Sequence, residues 1–152
     1  MKEELALSCW LGARDAHAGG TLGGIDHVAK RILVVEDNDL NRKLFCDVLR
    51  AGGHEVEPVA DGELVMNAAR AFAPDLVIMD IQLGSVSGID LIAAIAADTA
   101  LQGTPVLAVT AYAGKGDEAK IRDAGARDYL SKPVSIGPFT QAVNRLLEMA
   151  PA

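Results

Sequence analysis

The sequence predicts an α/β fold, a doubly wound (βα)5 arrangement with a five-stranded parallel sheet in the order 2-1-3-4-5. Three observations carry this. From residue 30 onward, short unbroken apolar runs alternate with helix-length segments, the pattern of strands joined by helical crossovers. The runs lack an in–out alternation, so both faces are buried, as in a parallel sheet between two helix layers. The runs also end in polar residues, at the strand ends where open α/β sheets place their chemistry.

The first strand, Arg31-Ile32-Leu33-Val34-Val35, runs into Glu36-Asp37-Asn38. Asn38 or Asp39 can cap the helix that follows. Leu40, Leu44, Phe45, Val48 and Leu49 follow helical spacing, and Gly52-Gly53 ends that helix in left-handed positions. Residues 54–59 form a short second strand centred on Val56. Asp61 caps the next helix, whose Leu64, Val65, Ala68, Ala69 and Phe72 share a face, and Pro74 stops it. The third strand, Leu76-Val77-Ile78-Met79-Asp80, is four apolar residues running into one carboxylate. A loop with glycines at 84 and 88 leads to an unusually apolar helix at 89–97. The fourth strand spans 104–110 and ends at Thr110. A polar helix at 115–124 closes on Gly125. The fifth strand, 127–131, precedes Lys132-Pro133, and a last helix at 136–149 buries Phe139, Val143, Leu146 and Leu147.

The 152 residues, half of them hydrophobic, suit one well-filled domain with a short appendage. A net charge of −7 argues against nucleic acid or an anionic membrane as partner. No apolar run reaches transmembrane length. Cys9 and Cys46 make no metal or redox spacing, so reduced thiols in a cytoplasmic protein are expected, with Cys46 a small buried hydrophobe. Residues 1–29 read as an N-terminal extension with a frayed helix and a flexible Gly19-Gly20-Thr21-Leu22-Gly23-Gly24 linker. Leu5 to Leu11, then Ala16-His17-Ala18, loosely resembles a secretory signal. Glu3 and Glu4 remove its positive start, and the apolar run is short. Residues 30–152 read as the functional domain.

The order 2-1-3-4-5 makes the first and third strands neighbours at the switch point. Glu36, Asp37 and Asp80 then crowd one crevice, where like charges raise one another's pKa. A hard divalent cation resolves that conflict, and Mg²⁺ favours few carboxylates, some waters and a phosphate oxygen. Lys132 adds a mobile positive charge and Thr110 a hydroxyl donor. The set suits an acidic nucleophile accepting a phosphoryl group beside Mg²⁺.

Glu36-Asp37-Asn38, Met79-Asp80, Thr110-Ala111 and Lys132-Pro133, in this order and spacing, resemble the receiver domain of two-component response regulators, a CheY-like, flavodoxin-like fold. The resemblance covers about residues 30–147. Val34-Val35-Glu36-Asp37-Asn38, Met79-Asp80-Ile81-Gln82-Leu83, Ser131-Lys132-Pro133-Val134-Ser135 and Gly116-Asp117-Glu118 look like DivK-type single-domain regulators. The resemblance implies that Asp80 is the phosphoacceptor, served by a sensor histidine kinase or histidine phosphotransferase. It implies Mg²⁺ bound by Asp37, Asp80 and the Gln82 backbone carbonyl, with Glu36 acting through water. Thr110 would turn inward to the phosphoryl group, Lys132 would contact it, and the Lys132–Pro133 peptide would be cis. Tyr129 matches the switch aromatic. The output would be phosphorylation-dependent binding to a downstream kinase or adaptor protein, with no catalysis beyond the domain's own phosphorylation and dephosphorylation. One departure is Gly84, where the family usually has proline; glycine there loosens the loop.

Each residue alone has a plainer reading. Asp80 could be a loop acid, Glu36 and Asp37 complements to a helix N-terminus, Lys132 a surface charge, Tyr129 a half-buried aromatic. Their gathering at strand ends favours the site. An aspartyl-phosphate phosphatase wants a carboxylate where Gln82 stands. A flavodoxin wants hydroxyls after the first strand, and a dinucleotide site wants Gly-x-Gly-x-x-Gly there. The alternative is a degenerate receiver acting only as a docking module.

Overall fold

A computed structural model describes residues 29–111 and 115–149. The features expected before Ala29, including the extension's helix, linker and signal-like run, lie outside the described residues. Five strands alternate with five helices: β1 (Arg31–Val35), α1 (Asp39–Ala51), β2 (Glu55–Val59), α2 (Val65–Phe72), β3 (Leu76–Asp80), α3 (Gly88–Ala97), β4 (Val106–Thr110), α4 (Lys115–Ala124), β5 (Asp128–Ser131) and α5 (Ile136–Met149). Every pairing is parallel and the order is β2-β1-β3-β4-β5, as the sequence predicts.

Strand pleating divides the core into two layers. Ile32, Val34, Leu76, Ile78, Leu107 and Val109 pack with Phe45, Cys46 and Leu49 of α1 and Phe139, Val143 and Leu146 of α5. Leu33, Val35, Val77, Met79 and Ala108 face the other way, with Val65 and Ala69 of α2, Ile92 and Ile95 of α3, and Ile121 of α4.

Three local expectations need correction. Leu40 and Leu44 are not core: Leu40 is 78% exposed and Leu44 39%. The buried stripe of α1 is Phe45, Cys46 and Leu49, and Leu40 and Leu44, one turn apart, lie on the side turned from the sheet. Leu64 is likewise exposed. Asp61 caps a single 3₁₀ turn at Gly62–Leu64 rather than α2 itself, which starts at Val65. Of the glycine pair ending α1, Gly53 alone is left-handed, at φ 91°, while Gly52 has φ −81°. Asn38 caps α1, its Oδ1 accepting from the Asn41 amide at 2.9 Å.

Candidate functional site

The site forms where β1 and β3 emerge side by side. Glu36 follows β1 and is fully buried. Its own amide donates to the Val59 carbonyl at 3.1 Å, which ties the strand end to β2. Asp80, the last residue of β3, is also buried. Asp37 is exposed beside them. The three carboxylates offer oxygens that all lie within 4.8 Å of one another.

One cation reaches into this group. Lys132 Nζ donates to Glu36 Oε2 at 3.3 Å and lies 3.3 Å from Asp80 Oδ2. The lysine is placed by its backbone, whose amide donates to the Thr110 carbonyl at 2.8 Å, and the Lys132–Pro133 peptide is cis. Arg42 lies nearby but is used otherwise: it donates to the Glu36 carbonyl at 2.9 Å and pairs with Asp39.

Three carboxylates against one ammonium leave two negative charges when all are ionised. Burial is what most strongly pushes the Glu36 pKa up to about 7; the neighbouring Asp80 carboxylate adds to this, while the Asn38 amide and Lys132 oppose it. Glu36 Oε1 and Asp80 Oδ2 are buried oxygens with no hydrogen-bond partner. Lys132 stands within ion-pair distance of both, at 3.2 and 3.3 Å, without the alignment of a hydrogen bond. Buried unpaired carboxylate oxygens are costly. Their placement, charge and hardness fit a small divalent cation.

The loop after Asp80 is held close. Asp80 Oδ1 accepts from the Gln82 amide at 3.0 Å. The Gly88 amide donates to the Ile81 carbonyl at 3.1 Å, and a Cβ on Gly88 would sit 2.4 Å from the Asp80 carbonyl oxygen and 2.6 Å from Ile81 Cα. Only glycine lets the start of α3 approach the rim so closely.

Thr110, buried at the end of β4, accepts at Oγ1 from Gln82 Nε2 at 3.1 Å. Tyr129 is half-buried on the neighbouring strand, opposite Ala108. The Glu118 carboxylate near its hydroxyl, followed by burial, raises the phenol's pKa. Arg122 lies over its ring at 5.4 Å and also pairs with Glu118. Asp128 joins this face by accepting from Arg145. Glu36, Asp37, Asp80, Gln82, Thr110 and Lys132 thus come together at one rim, and Tyr129 lies one strand further out. Sequence reasoning missed the Gln82 side chain and Gly88. Gln82's place two residues past the acidic strand end, and the glycine opening a helix, were the available signals.

Fold and rim together define a receiver. The response regulator receiver domain family matches residues 32–144, and the chain belongs to that family. It is similar to the polar-differentiation response regulator DivK of Brucella anthropi, with 43% identity over 118 residues, covering 78% of this chain and 96% of that protein. DivK of Brucella ovis is 42% identical over 120 residues, covering 79% and 98%. A similar solved structure is the receiver domain of sensor histidine kinase PA1611 from Pseudomonas aeruginosa PAO1, which has a magnesium ion coordinated in its active-site cleft. It is 31% identical, with a TM-score of 0.73 over 80% of this chain and 99% of that one. The Vibrio cholerae chemotaxis protein CheY4, at 24% identity and TM-score 0.75, covering 78% of this chain and 99% of its own, shares the fold. Among the described residues no helix is long and apolar enough to cross a membrane.

Proposed function

We propose that the chain works as a phosphorelay response regulator. It accepts a phosphoryl group on Asp80 from a phosphohistidine of a histidine kinase or phosphotransferase, and it signals by phosphorylation-dependent binding. The observation that carries this is one buried carboxylate at a strand end, set beside two further acids and a single lysine. In the transfer an Asp80 oxygen attacks phosphorus. The O–P bond forms, the N–P bond breaks, and the imidazole leaves with that electron pair. Hydrolysis of the acyl phosphate by water restores Asp80, so the chain acts on itself and turns over no separate substrate.

Asp37, Asp80 and the Gln82 carbonyl would hold Mg²⁺, with Glu36 reached through water. The two unpartnered carboxylate oxygens and the excess negative charge support that assignment. When bound, the ion neutralises charge on the transferring phosphoryl oxygens. Lys132 would move from Asp80 to the phosphoryl oxygens as a point charge. Thr110 would donate its hydroxyl to another. The phosphohistidine must reach this rim on a second protein, and Leu40, Leu44 and Ile136 offer exposed apolar surface on the elements flanking Lys132. A downstream kinase or adaptor would read the face that carries Tyr129, Glu118 and Arg122.

The test is labelling of the full chain by acetyl phosphate and Mg²⁺, read by intact mass. The wild type should gain one phosphoryl group and Asp80→Asn none, because an amide is no nucleophile here. Undiminished label in the variant would overturn the assignment, and an unlabelled wild type would favour a docking-only receiver.

A further inference from the structure

Glu36 and Asp37 are neighbours in the sequence but are held in different ways. The Glu36 carboxylate is gripped directly, Oε2 accepting from the Asn38 amide at 3.2 Å and from Lys132 Nζ at 3.3 Å. Asp37 is exposed on the turn between β1 and α1, and its short side chain goes where its main chain points it. The Glu36 carbonyl, the Asp37 amide and the Asp37 Cα lie in one rigid peptide plane. Whatever fixes that carbonyl therefore fixes the root of the Asp37 side chain. Arg42, one turn into α1, reaches back to it: Nη1 donates to the Glu36 carbonyl at 2.9 Å and Nη2 to Asp39 Oδ1 at 2.6 Å. The two bonds differ in weight. The Asp39 side chain is 89% exposed, so its ion pair is worth little. Glu36 is fully buried, and a buried carbonyl that loses a charged donor costs more.

We infer that Arg42 is a positioning residue for the acidic group: by holding the peptide between Glu36 and Asp37, it keeps the Asp37 carboxylate beside those of Glu36 and Asp80. This rests on the Mg²⁺ site proposed above. The planar fork of the guanidinium suits the task, since its nitrogens point in fixed directions and one can sit on the loop while the other sits on the helix's first turn. A through-space effect of the same charge would have the opposite sign. A cation beside a metal site repels the metal, so deleting it would tighten binding, whereas freeing the Asp37 peptide would weaken it. The direction of the change separates a donor that positions from a charge that merely stands nearby.

The experiment uses the full chain and Mg²⁺ alone. Calorimetric titration compares wild type, Arg42→Met, Asp39→Asn and Asp37→Ala, and the NMR order parameter of the Asp37 amide is measured in EDTA. Methionine keeps the aliphatic stem and a similar helix propensity but has no donor. Arg42→Met should weaken Mg²⁺ binding about tenfold, as for other partners that orient metal ligands. Asp39→Asn should change it little. In Arg42→Met without metal, the Asp37 order parameter should fall below the rigid value of about 0.85. Unchanged or tighter Mg²⁺ binding in Arg42→Met would overturn the inference, and so would an unchanged order parameter. A loss in Asp39→Asn as large as in Arg42→Met would overturn it as well, since the exposed pair would then do the holding. Should Arg42→Met fail to fold, Arg42→Gln, with its shorter reach, carries the same comparison. A wild type that binds no Mg²⁺, or an Asp37→Ala that binds it as well as wild type does, would sink the inference together with the proposed metal site. Weakened binding in Asp37→Ala beside normal binding in Arg42→Met sinks the inference alone.

Discussion

The central strands and the edge strand of this sheet end differently. β1 and β3 bury every residue except Arg31, and they deliver Glu36 and Asp80 to the rim already desolvated. β5 is half-exposed along its length, and the Arg122 side chain of α4 lies over its Tyr129. Buried acids held by close packing suit a nucleophile whose position must not drift. A half-covered edge suits a part that must shift, because fewer buried contacts resist local movement. On the proposed function, chemistry and readout are separated by a single strand, β4, and by the residues that bridge it.

The largest effects should fall on the central side. Asp37→Ala removes a carboxylate from the acidic group and should weaken Mg²⁺ more than Glu36→Gln, for which the proposed contact through water predicts a loss of about 10–100-fold. Calorimetric titrations giving equal, negligible losses would remove both residues from the site. Gly88→Ala forces a Cβ to within 2.4 Å of the Asp80 carbonyl oxygen, and should cost about 1–3 kcal/mol of stability through backbone displacement. An unchanged melting temperature would mean that the rim yields easily, and the contrast with β5 would fall. Tyr129→Phe, on the edge, removes only the hydroxyl beside Glu118, so the smallest loss of stability in this set is expected from denaturant unfolding. Gly84→Ala should act in the opposite direction. Gly84 has no left-handed φ, and the new Cβ would meet only Asp37 Oδ2, at 4.0 Å. A gain of about 0.4–1 kcal/mol follows from the smaller entropy of the unfolded chain. Destabilisation there would show that the loop needs glycine's freedom.

Much of this was legible from the strands. Unbroken apolar runs such as 76–79 announce burial on both faces, and parallel order follows from their alternation with helices. The rim residues were legible because a strand end fixes where its next side chain emerges. Helix faces were less so. Leu40, Leu44 and Leu64 satisfy helical spacing, yet spacing gives only a side, and the sheet's limited width decides how much of that side is covered. The Gln82 carboxamide was hidden for another reason: its partners Thr110 and Ala111 come near only once β3 and β4 pair.

The pleat has one more consequence. By strand parity Glu36, Asp80 and Lys132 belong to the layer of α1 and α5, whereas Thr110 and Tyr129 belong to the layer of α4. A surface that chooses the phosphate donor and a surface that chooses the listener can then change their vocabularies separately. On the proposed function, substitutions on α1 should retune who speaks to the domain without garbling what it says, and substitutions on α4 should do the reverse, a separation that would trace back to the two-residue repeat of a β-strand.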